Sequence, residues 1–395
     1  MKIKKILVTV ILLIFHAMFT TVSFGQFFLQ LTPLPSPIKP VYGAITPVCG
    51  CETLTKVSIP NTIIISAAVD PKDGSCKVTA IVNHPPADDS VTVWIALPEK
   101  NWNGRFEGRG GGGFLGGDPQ ELAEPVSQGF AAGATNTGHQ GGSGSFALDT
   151  LSHRLNWQLV RDNVYQGIHD MTIVGKTLVK SFYGKPARYT YFVGNSTGGR
   201  QGLSEAQRFP NDYDGVLSYQ PAINWDRMLI ALLWPQVAMQ EANDYPSAEK
   251  FKAINNAVIG VLDGKDGTMD SIIDDPLHHQ IDPKSLIGKK VGDSVFTEAD
   301  AELIRKIWEG PRTHDGKFLW YGLLPGADLT SLTGTKGSSM SGRPFSISVD
   351  WVRYFLYLDP KWTGIPLTQT EFELLWNQSV EQYGKLFGTD DPDLT

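Results

Sequence analysis

The chain is short of positive charge: 34 Lys and Arg stand against 41 Asp and Glu, for a net charge of −7 over 395 residues. The cations form no basic stripe, so a phosphate backbone has nothing to bind and a nucleic-acid partner is excluded. Long apolar runs are also lacking: beyond the first 25 residues, no stretch is long and apolar enough to span a bilayer. Cysteine is scarce, with only Cys49, Cys51 and Cys76. Three is odd, so one thiol is left over or pairs outside the chain. Cys51–Cys76, which would staple the apolar run Thr62–Val69, and Cys49–Cys76 are both open pairings. His278 and His279 are adjacent and have no chelating spacing to another His or Cys, so they read as structural or surface residues and not as zinc ligands. No internal repeat is present.

Residues 1–25 read as a targeting segment. Lys2, Lys4 and Lys5 precede an almost wholly apolar run from Ile6 to Phe19, and Ser23-Phe24-Gly25 supplies small residues ahead of Gln26. That order of features is a secretory signal peptide, and the apolar run is short for a membrane anchor. Its removal takes away three Lys and no acid, moving the net charge from −7 to −10. An exported product, periplasmic or extracellular, also permits a disulfide.

Residues 26–50 carry Pro33, Pro35, Pro37, Pro40 and Pro47 with Ser36 and Gly43, and read as an extended linker without a core. From Cys51 the pattern changes. Thr62–Val69, Lys77–His84 and Ser90–Pro98 are β-branched runs bounded by Pro, Asp and Gly, which predict strands; an alanine-rich strand follows at Phe130–Thr135. Val160, Val164, Ile168, Met171, Leu178 and Phe182 mark one face of a long helix over Leu155–Tyr183. Arg188–Val193 reads as a strand, Thr197–Arg208 as a helix and Asp214–Ser218 as a strand. Strands alternating with helices predict an α/β fold with a mostly parallel sheet and helices on both faces, over residues 51–224. The alternation breaks down after Trp225. Residues 225–390, with helical pieces at 228–242, 297–308 and 369–386, read as a lid or inserted domain, and the length of the chain fits a core plus a second unit.

Gly194-Asn195-Ser196-Thr197-Gly198 is a G-x-S-x-G pentapeptide. Alone it is a weak signal. Here a strand leads straight into it and a helix opens straight after it, which is the setting of a nucleophile elbow with Ser196 at its tip. Gly194 and Gly198 relieve the crowding of that turn, and the helix N-terminus favours negative charge developing beside Ser196. An oxyanion hole needs two backbone N–H groups aimed at one point. The N–H of Thr197 is one candidate; Gly112, in the run Gly110-Gly111-Gly112-Gly113, is the other. The competing reading of that run, a phosphate loop, lacks the Lys-Ser/Thr ending.

A second constellation lies in Leu262–Pro276. Asp263, Asp266 and Asp270 offer hard carboxylates at short spacing, the carbonyls of Thr268 and Ile272 fall between and after them, and Gly264 and Gly267 turn the chain. That donor set suits Ca²⁺, although the twelfth-position Glu of an EF-hand is missing. The competing reading is a solvated acidic turn.

Together these stretches resemble the tannase/feruloyl esterase family, which includes the mono-hydroxyethyl-terephthalate hydrolases. The likeness runs from about residue 51 onward, through Cys51–Leu54, Trp102–Phe106, Gly110–Phe114, Thr137-Gly138-His139, Gly194–Gly202, Gln207–Pro210, Asp214-Gly215 and the 263–272 loop. The resemblance implies an α/β-hydrolase core with a large lid inserted after the strand that follows the nucleophile helix. It implies hydrolysis of esters of aromatic acids through Ser196, structural Ca²⁺ on Asp263, Asp266, Thr268, Asp270 and Ile272, and a Cys51–Cys76 bridge with Cys49 spare.

Two departures from the family stand out. Asn195 occupies a position where the family usually has a Cys bridged to a Cys beyond the catalytic His. The family's triad Asp and His follow the lid, whereas here only His278, His279 and His314 follow Ser196, all within the lid segment. Asp391–Thr395 resembles the start of the last core segment. The expectation is therefore a C-terminally truncated chain without the triad Asp and His, with the last core elements missing and poor activity by itself. A non-catalytic protein that binds aromatic ligands and a general lipase or depolymerase are the alternatives. Trp225, Trp234, Trp308 and Trp320 line an acyl pocket or fill the lid core, and the second reading is preferred.

Overall fold

The computed structural model describes residues 39–335 and 342–393. The signal peptide expected at 1–25 and the greater part of the 26–50 segment lie outside the described residues. Pro40–Thr395 forms one compact unit.

Its frame is a seven-stranded sheet. The strands are β1 (Thr62–Val69), β2 (Ser75–Val82), β3 (Val91–Pro98), β4 (Arg105–Arg109), β5 (Ala131–Thr135), β6 (Tyr189–Asn195) and β7 (Gly215–Tyr219), in the order β1-β2-β3-β5-β4-β6-β7. β1, β2, β3 and β5 pair antiparallel in succession, whereas β5, β4, β6 and β7 run parallel. Only β1 and β3 oppose the direction of the rest, so this is an α/β-hydrolase-type sheet with an antiparallel front.

Strand β4 was not expected. Arg105, Glu107 and Arg109 hide it from any apolar pattern, yet Phe106, Glu107 and Gly108 are buried. Glu107 accepts from Arg109 Nε at 2.5 Å, and the Arg109 guanidinium also pairs with Glu124. Charge pairing satisfies a buried strand that composition alone would leave in a loop.

Side-chain alternation along the strands gives the sheet two covered faces. Val91, Val93, Ile95 and Leu97 of β3, with Phe106 and Ala131, meet the apolar stripe of α3 (Gly167–Tyr183), made of Ile168, Met171, Val174, Leu178 and Phe182. Ala96, Ala132 and Ala134 point the other way, onto Leu122 and Val126 of the 3₁₀ turn Pro119–Leu122 and α1 (Ala123–Ser127). The long helix expected over Leu155–Tyr183 is α2 (Trp157–Arg161) continued into α3 through a π turn, Asp162–Gln166. Helix α4 (Thr197–Arg208) has the expected bounds.

Residues 40–50 are not a coreless linker. Val41 N–H donates to the Asn103 carbonyl at 3.0 Å and Val48 N–H to that of Phe182 at 2.8 Å, while Tyr42, Ile45 and Cys49 pack on the sheet's core. The proline content signals an extended backbone, and an extended segment docks as readily as it dangles. Cys51 and Cys76 are bridged, and Cys49 is free.

After β7 come α5 (Trp225–Ala231), α6 (Trp234–Ala242), α7 (Ala248–Leu262), α8 (Glu298–Glu309), α9 (Ser346–Trp351) and α10 (Gln369–Phe387). They build two apolar clusters. One joins Trp225, Trp234, Trp351, Phe355 and Tyr383 to Phe114 and Val164 of the sheet region; the other surrounds Phe251, Phe296 and Ile304. Trp225 and Trp234 are buried core residues, and Trp308 and Trp320 pack against these clusters. No described helix is long and apolar enough to cross a membrane.

Candidate active site

Strand β6 ends at Asn195 and α4 begins at Thr197, so Ser196 alone makes the turn between them. Its backbone sits at φ 54° and ψ −114°, outside the ordinary left-handed basin, and its side chain is exposed. A non-glycine residue held there stores strain of about 1–3 kcal/mol, which the surroundings must over-determine. They do. Ser196 N–H donates to the Tyr219 carbonyl, and the Ser196 carbonyl accepts from Arg200 N–H at 3.0 Å and Ala222 N–H at 2.9 Å. A side chain at Gly194 would place its Cβ 2.3 Å from the carbonyl carbon of Gly198, so only glycine lets the chain fold back this tightly.

The glycine loop after β4 lies directly on the start of α4. Gly198 N–H donates to the Gly111 carbonyl at 2.8 Å, and Thr197 Oγ1 donates to that of Gly113 at 2.6 Å. A Cβ on Gly110 would lie 2.5 Å from the Gly198 Cα. Gly112 is exposed, with open space where a Cβ would go. Ser196, Thr197 and Gly112, read separately from the sequence, are thus brought to one place.

Two side chains that sequence reasoning left without a role clamp this loop. Gln201 Oε1 accepts from Gly111 N–H at 3.0 Å, and its Nε2 donates to the Gly116 carbonyl at 3.2 Å. Gln201 is one helical turn beyond Thr197, so the two reach the loop from one face of α4; that i, i+4 spacing was visible in the sequence. Asn163, in the π turn, donates from Nδ2 to the Phe114 carbonyl at 3.0 Å and to Thr137 Oγ1 at 3.2 Å. Nothing in the sequence signals a π turn, although such turns often sit at functional positions.

The electrostatics favour an anion at Ser196. The N-terminus of a three-turn helix points at it. Arg200, one turn on, is fully buried between the Trp225 and Phe387 rings, each 5.5 Å from the guanidinium. Burial pulls its pKa down to about 10, helped by Arg208, so it stays charged at neutral pH. His139 stacks on Phe146 with ring centres 3.9 Å apart; burial outweighs the Thr137 and Phe114 carbonyls and lowers its pKa, keeping it neutral. Among the described residues no histidine nitrogen is hydrogen-bonded to Ser196. His84, His169 and His278 are paired with Asp89, Asp212 and Asp275.

The 263–272 loop lies apart from the elbow in sequence, at the end of α7. Asp263 is buried, and its Oδ1 accepts from Asp270 N–H at 3.1 Å and Ser271 N–H at 2.7 Å. Asp266 Oδ1 accepts from Thr268 N–H and Asp270 Oδ1 from Ile272 N–H. Each carboxylate commits only its Oδ1 to loop amides, two for Asp263 and one each for Asp266 and Asp270. The donors fit a hard cation, although the three carboxylates are not gathered within 4.8 Å of one another. His278 is exposed on the turn that follows, as a surface residue.

Comparisons with known proteins agree with this geometry. The model of the "Tannase and feruloyl esterase" family matches residues 76–344. A probable feruloyl esterase of Arthroderma benhamiae is 36% identical over 331 residues, covering 81% of this chain and 62% of that protein. Feruloyl esterase B of Aspergillus niger is 32% identical over 340 residues, with 84% and 62% covered. The chain thus spans 62% of the length of each of these two curated relatives. The crystal structure of feruloyl esterase B from Aspergillus oryzae superposes with a TM-score of 0.72 at 26% identity, over 87% of this chain and 71% of that one. The tannin acyl hydrolase of Aspergillus niger shares the fold, with a TM-score of 0.74 at 21% identity over 84% and 66%. A strained serine between strand and helix, a glycine loop laid on that helix and a family match over most of the described chain point the same way: this chain belongs to the tannase and feruloyl esterase family.

Proposed function

We propose that the chain is the nucleophile-bearing part of an exported carboxylic ester hydrolase acting on esters of aromatic acids. Ser196 attacks the ester carbonyl, and an acyl-enzyme forms as the alcohol leaves. The N–H groups of Thr197 and Gly112 hold the oxyanion of the tetrahedral intermediate. The observation that carries this reading is the Ser196 backbone, held off every ordinary basin beside a glycine loop that Gln201 and Thr197 pin in place. A purely ligand-binding protein has no use for that strain.

Serine needs a base to take its proton, and losing one typically costs orders of magnitude in rate. No described histidine is bonded to Ser196, so these 395 residues alone are expected to be a weak esterase. With methyl gallate, methyl ferulate and mono-hydroxyethyl terephthalate as substrates, any turnover should favour the aryl-acid esters over an aliphatic ester of equal size. Equal rates would point to a general lipase instead. Export rests on the Lys2–Gly25 pattern, and residues 225–390 act as the lid.

Structural Ca²⁺ is the second part of the proposal. Asp263, Asp266 and Asp270 side chains with the Thr268 and Ile272 carbonyls would hold it, bracing the loop after α7. At 100 times its Kd, Ca²⁺ should stabilise the chain by about 2.7 kcal/mol, a melting shift of several degrees, and Asp263→Asn should abolish the shift. A wild-type chain indifferent to Ca²⁺ would remove this part of the reading.

A further inference from the structure

At the far end of α4, ~13 Å from Ser196 at 1.5 Å per residue, is a buried charge cluster that the elbow chemistry leaves unused. Glu205 is 1% exposed, and neither of its carboxylate oxygens has a hydrogen-bond partner. A buried carboxylate without partners is among the costlier groups a fold can carry. It is aimed at two others: one ligand atom each of Glu205, His169 and Asp212 lie within 4.8 Å of one another. His169 Nδ1 is 2.6 Å from Asp212 Oδ2, and its ring is stacked on Phe209 at 3.9 Å.

The cluster is built from separate elements that are each held. His169 comes from α3 and Glu205 from α4. Asp212 comes from the turn before β7, where its N–H donates to the Phe209 carbonyl at 2.9 Å and its own carbonyl accepts from Thr190 Oγ1 at 3.0 Å. A cleft of about 190 Å³ opens beside it, lined by Glu205, Phe209, Pro210, Tyr213 and Val216.

We propose that His169, Glu205 and Asp212 form a binding site for a first-row divalent cation of the Zn²⁺ or Mn²⁺ class, with the cleft side left for water. One imidazole and two carboxylates match the ligand preference of such ions, and the imidazole argues against Ca²⁺. The ion ties α3, α4 and the turn before β7 into one bracket behind the elbow.

The test is calorimetric titration of the chelator-treated 395-residue chain with Zn²⁺ alone at pH 7.5. One site is expected. Glu205→Gln and His169→Gln should each weaken it by about 100-fold or more while circular dichroism stays unchanged. Asp263→Asn, in the loop proposed for Ca²⁺, and His84→Gln, in a separate group where His84, Asp89 and Asp162 bring ligand atoms within 4.8 Å of one another, should leave it intact. A folded chain that takes up no Zn²⁺ overturns the proposal. Binding unchanged in Glu205→Gln and His169→Gln overturns it equally.

Discussion

Gly194→Ala should cost about 3 kcal/mol or more of stability and take the elbow apart. The added Cβ would sit 2.3 Å from both the carbon and the oxygen of the Gly198 carbonyl. Those are backbone atoms of α4's first turn, and they are pinned: Gly198 N–H is bonded to Gly111, and a Cβ-sized shift of Gly198 would run into Gly110. No flexible side chain can yield, so the cost falls on the strand–helix junction itself. Gly112→Ala is the counterpart. Nothing lies within 4 Å of its Cβ position, so stability should stay within about 0.5 kcal/mol. Urea midpoints at unchanged m-value measure both. A Gly194→Ala chain as stable as the parent would mean that the turn is looser than described.

Ser196→Gly should stabilise the chain while removing the proposed nucleophile. The strain of φ 54° and ψ −114° costs about 1–3 kcal/mol for a residue with a Cβ, and glycine adopts that region freely at an entropic cost of about 0.5–1 kcal/mol. The net gain expected is about 1 kcal/mol. Ser196→Ala keeps the Cβ and should gain nothing, so the difference between the two variants isolates the strain. Equal midpoints for Gly and Ala would show that Ser196 sits there without cost, and would take away the argument that the backbone is held for chemistry.

Local chemistry made much of this site legible from sequence. The β-branched run Thr62–Val69 and the helix Thr197–Arg208 have the bounds that their residues predict, and Ser196 of the G-x-S-x-G pentapeptide lies at the turn between strand and helix. What stayed hidden depends on partners distant in sequence. Strand β4 reads as charged because Glu107 and Arg109 satisfy each other only once folded. Helix α7 (Ala248–Leu262) is hard to see in the sequence because Lys252, Asn255 and Asn256 dilute its apolar content, although Phe251, Ile254, Val258 and Leu262 keep helical spacing and Ser247 caps its first turn. Gln201 and Asn163 act through bonds to a loop some 50 to 90 positions away in the chain, which no local pattern encodes. The docking of residues 40–49 is not legible in the sequence, because proline content reports backbone extension and not what the backbone touches.

The proposed function has Ser196 as a nucleophile beside an oxyanion site, with no described histidine bonded to it. The most direct measurement is methyl ferulate hydrolysis by the 395-residue chain against rising imidazole, alongside its Ser196→Ala variant. Ser196 is exposed, so a dissolved base can reach it. Slow turnover is expected alone, with a rate that climbs with imidazole above the imidazole-only background, and the climb should be absent in Ser196→Ala. Two results would contradict it: fast hydrolysis without imidazole, which would require a base within the chain, or an identical imidazole response in both proteins, which would mean that Ser196 is not the attacking group.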